Sequence, residues 1–286
     1  MRYVIDHETE LCFPEPIREH QLELRVVPRS DHGQRLLDFA IEIEPRRTLR
    51  EHRDAFGNRV HRASLPGAHD RVLIRLHAEV ETLQDNPFAW TPLPPDTERV
   101  AVDRALRDTP RLLEWVVHRS PAVPELARVA PDVALPEPDA RRSLVENVQV
   151  AMTWAAERFA YEPGATETHA PLAVFLQRGA GVCQDFAHFL VALVRSWRVP
   201  ARYVAGYIEP EVEEGETATH AWAEVLIPGA GWLGFDATHG LVVNDRYVAV
   251  AVGRDSRDAA PVRGAFKGGH AGEPPQVRLT VARAQQ

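Results

Sequence analysis

Residues 3 to 13 alternate, with Tyr3, Ile5, His7, Thr9, Leu11 and Phe13 on one side of an extended chain. That period of two is the mark of a half-buried strand. QLELRVVPR, LLDFAIEIEP and RVLIRLHAEVETL continue it. DAFGNRV sets a Gly57-Asn58 turn between two strand-like runs. Residues 1–85 therefore predict a β-rich, sandwich-like domain. Proline becomes frequent from Asn86 onward, in FAWTPLPPD, SPAVPEL and PDVALPEPDA. Between these lie short helical pieces such as RALRD and RLLEWVVHR. Residues 86–135 read as a bridging segment, with a boundary near 136.

After that boundary the period becomes helical. RRSLVENVQVAMTWAAERFAY carries Leu144, Val148, Ala151, Met152, Ala155 and Phe159 on one stripe. PLAVFLQR predicts a shorter helix stopped at Gly179. CQDFAHFLVALVRSWR predicts a third, with Phe186, Ala187, Leu190, Val194 and Trp197 inward. RYVAGYI, HAWAEVLI, WLGFDAT and YVAVAV then read as strands. Helices followed by antiparallel strands make residues 136–286 an α+β core.

Composition narrows the function. The chain has 286 residues, 44% hydrophobic and 26% charged, which suits a globular protein with a real core. Its 33 Lys and Arg against 41 Asp and Glu leave a net charge of −8, the wrong sign for a nucleic-acid partner. No apolar run approaches the length of a membrane span, and MRYVIDHETE lacks an apolar signal core. A cytoplasmic protein is expected. The two cysteines, Cys12 and Cys183, do not suggest a disulfide framework.

Cys183 follows a glycine-rich turn and opens a helix. The partial positive charge and free N–H groups of a helix N-terminus lower a thiol's pKa and stabilise nearby negative charge. A buried cysteine acting as a small hydrophobe is the competing reading. A thiol nucleophile needs a base. In HAWAEVLI the apolar face is Ala221, Ala223, Val225 and Ile227, so His220 and Trp222 take the other face. A hairpin centred on Pro228 puts His220 opposite Asp236 and Trp222 opposite Gly234. Directly opposed residues have Cβ atoms about 4.5–5.5 Å apart, close enough for the carboxylate to hold the imidazole. Thiol on a helix, then histidine and carboxylate on neighbouring strands, is the layout of papain-type cysteine enzymes.

Other residues take lesser roles. His188 is on a different helix face from Cys183 and reads as structural or surface. Asp185 suits the first helical turn. Cys12 reads as inert. A metal site built from Cys183, His220 and His239 or Asp236 is the weaker alternative, because no close ligand pair is present. No EF-hand spacing appears, and no cofactor is expected.

GVCQDFAHFL, RYVAGYI and THAWAEVLIPGAGWLGFDATHG resemble the bacterial transglutaminase-like proteins. The resemblance implies Cys183 as nucleophile, His220 as base and Asp236 as orienting carboxylate. YVIDHET, LELRVVPR and DAFGN resemble the β-rich domain that precedes the core in that family, and GRDSRDAAPVRGAFKGG resembles its tail. The family pattern after the aspartate is Pro-Thr-Asn-Gly, where this chain has Ala237, Thr238, His239 and Gly240. The implied activity is acyl transfer from an amide through a thioacyl enzyme, completed by water or an amine, on a protein or peptide substrate. A binding module that keeps the fold without catalysis is the alternative.

Overall fold

The computed structural model describes residues 1–167, 170–210, 219–270 and 272–284. The first sheet contains β1 (Arg2–Leu24), β2 (Gln34–Glu44), β3 (Arg50–Arg53), β4 (Arg59–Leu65) and β5 (His69–Thr82). Their order is β2-β5-β1-β4-β3. Tyr3, Ile5, His7 and Thr9 are all buried, as the period-two pattern requires. β1 shifts register against β5 between Cys12 and Ile17. Its first half pairs with β5, its second half with β4. One irregular strand thus serves both halves of a curved, sandwich-like sheet.

Six α-helices follow among the described residues: α1 (Pro95–Asp108), α2 (Glu114–Val117), α3 (Leu126–Val129), α4 (Leu144–Arg158), α5 (Leu172–Arg178) and α6 (Cys183–Ser196). The segment 86–135 was expected to bridge, with only short helical pieces. Instead α1 has 14 residues and buries Val102 and Leu106 in the same cluster as α4 and α6. Its prolines start helices. Pro95 opens α1 and Pro110 opens a 3-10 turn, at first-turn positions where the missing N–H costs nothing. Glu98 of α1, fully buried, accepts the N–H of Leu144 at 2.7 Å. α4 is capped by Ser143 and Glu146, each side chain accepting the other's backbone N–H. It ends at Arg158, three residues before the expected end, and Ala160–Tyr161 forms the short strand β6, parallel to β7 (Ala180–Gly181).

The second sheet is antiparallel, ordered β11 (Leu241–Val242), β10 (Gly231–Asp236), β9 (Thr219–Ile227), β8 (Ala201–Ile208) and β12 (Tyr247–Gly253). Phe186, Leu190 and Val194 of α6 share a buried cluster with Ala223, Val225, Ile227 and Phe235. Each such large side chain contributes about 1.5–3 kcal/mol on burial, so α6 is held firmly on this sheet. An α+β core preceded by a β-rich region is therefore the architecture.

The division of the chain at residue 136 needs one correction. β13 (Val262–Lys267) and β14 (Gln276–Arg283) both pair with β1, so the C-terminal strands complete the first sheet. The two sheets are also joined through side chains. β12 is an edge strand, and its outer backbone groups meet two amides of the N-terminal region. Gln34 pairs with both the N–H and C=O of Ala249, at 2.7 and 2.8 Å. Asn58 pairs in the same way with Val252, at 2.8 and 2.7 Å. Asn58, expected to be a turn residue, is fully buried for this reason.

Candidate active site

The turn before α6 is fixed tightly. Gly179 ends α5 at φ 74°, a left-handed conformation suited to glycine. A Cβ at Gly181 would lie 2.5 Å from the Phe175 ring and 2.6 Å from Asp185 Oδ2. Asp185 accepts the Val182 N–H at 2.9 Å and the Thr166 hydroxyl. Burial raises the Asp185 pKa, and these two bonds oppose the rise. The sequence assigned Asp185 only to the helix dipole; in the fold it ties the loop around Thr166 to the turn that presents Cys183. Cys183 is the first residue of α6, where N–H groups lack partners within the helix.

His220 stands at the start of β9, between Cys183 and Asp236. Its Nε2 donates to Asp236 Oδ2 at 2.7 Å. It also hydrogen-bonds the Cys183 thiol. Burial opposes the imidazolium, but the bonds to Asp236 and Cys183, with the electrostatic pull of both, raise its pKa to about 10. Burial likewise penalises the Asp236 carboxylate, yet His220 and His239 hold its pKa far below the usual range. The sequence-derived residues Cys183, His220 and Asp236 are therefore brought together, with a charged histidine favoured between two acidic partners.

The register differs from the expected one. Gly231 pairs with Ile227 and Phe235 with Ala223, so the hairpin is centred on Gly229 and not on Pro228. Continued by one step, this places Asp236 opposite Trp222, with His220 its diagonal neighbour. A two-residue slip preserves faces, because side chains alternate with period two. His220 still reaches Asp236 for that reason. Trp222, proposed to lie over Gly234, instead lies over Gly206 of β8, where a Cβ would be 2.5 Å from its ring. Gly234 is covered by Val243. Trp222 is 1% exposed and packs with Val204, Tyr247 and Val252, so it is a wall of the site and not an open surface.

Three further groups were not assigned from sequence to the surroundings of the Cys183–His220–Asp236 set. Tyr247, seen only as part of a strand, donates its hydroxyl to Asp236 Oδ2 at 2.8 Å. His239, noted as a departure from the family pattern and as a ligand in the alternative metal reading, donates from Nδ1 to the same oxygen at 2.7 Å. The tyrosine of the AERFAY run, Tyr161, lies beside the pair. Its pKa is raised by burial and then by the charges of Cys183 and Asp236. The parallel pairing of Tyr161 with Gly181 puts it there. Nothing in local periodicity marks the first or third of these.

His188 is structural. It is 1% exposed, its ring lies tilted against Tyr203 with centroids 4.8 Å apart, and its Nε2 accepts the Ser256 N–H at 3.0 Å. Cys12 is exposed on β1. His220, Asp236 and His239 are the one group of ligand-type side chains whose donor atoms lie within 4.8 Å of one another, among the described residues. Their facing atoms are already joined by proton-bearing hydrogen bonds.

Comparison with known proteins agrees with this architecture. A crystal structure of a candidate cysteine protease from Cytophaga hutchinsonii superposes with a TM-score of 0.71 at 22% identity, covering 100% of this chain and 92% of that one. An uncharacterized protein of Mycobacterium leprae is 29% identical over 276 residues, 93% of this chain and 94% of its own length. An uncharacterized protein of Mycobacterium tuberculosis is 28% identical over 274 residues, 92% of this chain and 87% of its own. No helix among the described residues is long and apolar enough to cross a membrane. Residues 3–81 match the bacterial transglutaminase-like N-terminal region, and residues 131–237 match the transglutaminase-like superfamily core. In that order, and on this fold, the two matches make the chain a member of the bacterial transglutaminase-like proteins.

Proposed function

We propose that this protein is a cysteine-dependent acyl-transfer enzyme acting on an amide of a protein or peptide in the cytoplasm. Cys183 is the nucleophile, His220 the acid–base group and Asp236 the residue that orients it. The observation that carries the reading is the position of His220, bonded at once to Cys183 and to Asp236. A histidine so held favours a thiolate–imidazolium pair, since its proton is retained on the ring.

In the first half-reaction the Cys183 sulfur bonds to the amide carbonyl carbon. The backbone N–H at the start of α6 donates to the oxyanion as it forms. His220 passes its proton to the departing amine as the C–N bond breaks, leaving a thioester. In the second half-reaction water or an amine attacks that thioester and gives its proton to His220, the C–S bond breaks, and the thiolate returns beside the reprotonated ring. Hydrolysis gives a protease or amidase activity, and an amine acceptor gives transamidation. Trp222 supports the site by walling one side of His220, with ring centroids 6.3 Å apart.

The test is to incubate wild type and Cys183→Ala with a peptide library containing glutamine and internal amide bonds. Products are read by mass spectrometry with and without a primary amine. Cys183-dependent cleavage, deamidation or amine incorporation is expected. Products that persist in Cys183→Ala, or a wild type that forms no thioacyl adduct, would sink the proposal.

A further inference from the structure

Tyr247 donates its hydroxyl to Asp236 Oδ2 at 2.8 Å, the oxygen that also accepts from His220 Nε2 at 2.7 Å. The tyrosine is buried, and its ring meets Trp222 edge-on with centroids 5.4 Å apart. It opens β12, an edge strand with β8 on one side. The N-terminal sheet holds the other side. Two residues before Tyr247, the Asp245 carbonyl accepts the Thr82 hydroxyl at 2.7 Å. Two residues after it, Ala249 exchanges bonds with the Gln34 amide at 2.7 and 2.8 Å, and its carbonyl also accepts the Arg29 N–H at 3.0 Å. Gln34 and Thr82 are themselves paired across β2 and β5. One corner of the N-terminal sheet therefore grips the chain on both sides of the tyrosine.

We propose that Tyr247 is a positioning residue for the catalytic pair, held on Asp236 by the N-terminal sheet. The inference rests on the acyl-transfer reading above and supplies the support behind its acid–base group. Asp236 has other donors. Oδ1 accepts the N–H groups of Thr238 and His239 at 2.9 and 3.3 Å, and Oδ2 accepts from His239 Nδ1 at 2.7 Å. These keep the carboxylate in place without Tyr247, so the hydroxyl acts chiefly on its charge. A donor to an ionised carboxylate stabilises the negative form and weakens its hold on a neighbouring proton. His220 must release its proton to the departing amine, and a carboxylate with part of its charge drawn off lets that proton go more readily. Among the described residues, the titratable groups facing His220 are Cys183 of α6, Asp236 of β10, His239 from the turn after β10 and Tyr247 of β12, with Tyr161 of β6 alongside. Tyr247 is the group among these that joins the pair to the N-terminal sheet.

Two measurements test this. The first follows the proton between His220 and Asp236 by NMR in Cys183→Ala protein, where no thiolate contributes. Its resonance is identified by its loss when His220→Ala is added. Adding Tyr247→Phe instead should raise the pH midpoint of that resonance by about half a unit or more, because Asp236 then holds the imidazolium more strongly. The second uses p-nitrophenyl acetate, which transfers its acetyl group to Cys183 with release of p-nitrophenolate. Excess ester is removed, and hydrolysis of the adduct is followed by mass spectrometry across pH. The rate should rise as His220 becomes neutral and can take the proton of water. Tyr247→Phe should move that rise upward by a similar amount. Gln34→Ala and Thr82→Val should each move it the same way by less, and neither should add to Tyr247→Phe. A midpoint unmoved or lowered in Tyr247→Phe, with hydrolysis slowed equally at every pH, would show a merely structural tyrosine and overturn the proposal. Shifts from Gln34→Ala and Thr82→Val that are absent, or that add to that of Tyr247→Phe, would overturn the part given to the N-terminal sheet. A wild type that forms no acetyl adduct at Cys183 would defeat the acyl-transfer reading, and the NMR midpoint would still decide whether Tyr247 acts on His220 through Asp236.

Discussion

His220 and Asp236 are joined at 2.7 Å although they stand diagonally, not opposite, in the hairpin that carries them. The bond orients the ring so that its other nitrogen meets Cys183. Asp236→Asn should keep the fold but allow the imidazole its wrong tautomer. The corresponding change in serine proteases costs about four orders of magnitude. Here a smaller loss is expected, because a thiol is intrinsically more acidic than a hydroxyl. His220→Ala should cost more than Asp236→Asn. Turnover of the two variants on a substrate found by the library screen decides it, and wild-type turnover by His220→Ala would remove the acid–base assignment.

Thiol reactivity should run against exposure. Cys12 is the more exposed cysteine, but its pKa is raised by desolvation and by the neighbouring Glu10 carboxylate. Cys183 has a helix N-terminus and the His220 imidazolium. Brief iodoacetamide treatment near neutral pH should label Cys183 first. Faster labelling of Cys12, seen by peptide mass mapping, would count against an activated Cys183.

Acid stability should depend on three buried neutral histidines. Burial lowers the pKa values of His7, His20 and His188 from 6.5 to about 4. For His20 the His69 charge adds to this, and for His188 the Asp255 charge opposes it. Between those values the unfolded chain binds protons that the folded chain does not. Stability then falls as pH drops. It should be fully present above about 6.5 and lost progressively toward 4. In His7 the buried neutral ring has a partner at each nitrogen. The Tyr207 hydroxyl donates to the Val26 carbonyl, so His7 Nδ1 donates to Tyr207, and Nε2 accepts from Thr9. Urea unfolding from pH 7 to 4 should show this slope, reduced in His7→Gln; an unchanged slope in that variant would refute the assignment to His7.

The amide clasp on β12 should be a stability element. Removing Asn58 leaves the N–H and C=O of Val252 without their side-chain partner, and removing Gln34 leaves the Ala249 N–H without its partner, while the Ala249 C=O keeps the Arg29 N–H. Leaving such groups unpaired costs about 1–3 kcal/mol. Asn58→Ala and Gln34→Ala should each lower the urea midpoint by a matching amount. Losses below about 0.5 kcal/mol, the size typical of surface changes, would mean that solvent replaces the amides.

Gly181→Ala should reach the site from a distance. Its Cβ would collide with Phe175 and Asp185, and Asp185 holds the turn before Cys183. Slower alkylation of Cys183 with little change in Cys12 is expected. Wild-type alkylation would show that the turn tolerates the added methyl.

The amino-acid order by itself determined the elements and their faces. Period two placed Tyr3, Ile5, His7 and Thr9 inside, and helical spacing placed Phe186, Leu190 and Val194 inside. It also put His220 and Asp236 on one face of a hairpin. That inference survived a register error of two residues, because parity and not the exact partner decides the face. The same error misplaced Trp222, because neighbour identity depends on the exact partner. The order of strands and the path of the chain after residue 86 were decided by tertiary structure alone. Prolines that open helices look, locally, like prolines that bridge domains. Strands β13 and β14 return to β1, a pairing across more than 200 positions that no local pattern encodes. The network around Asp236 has the same origin. Tyr247 reaches the carboxylate because β12 lies beside β8. Gln34 and Asn58 are buried because that strand's free edge needed hydrogen-bond partners. Local sequence sets which way a side chain points, and only the packed chain sets what it meets.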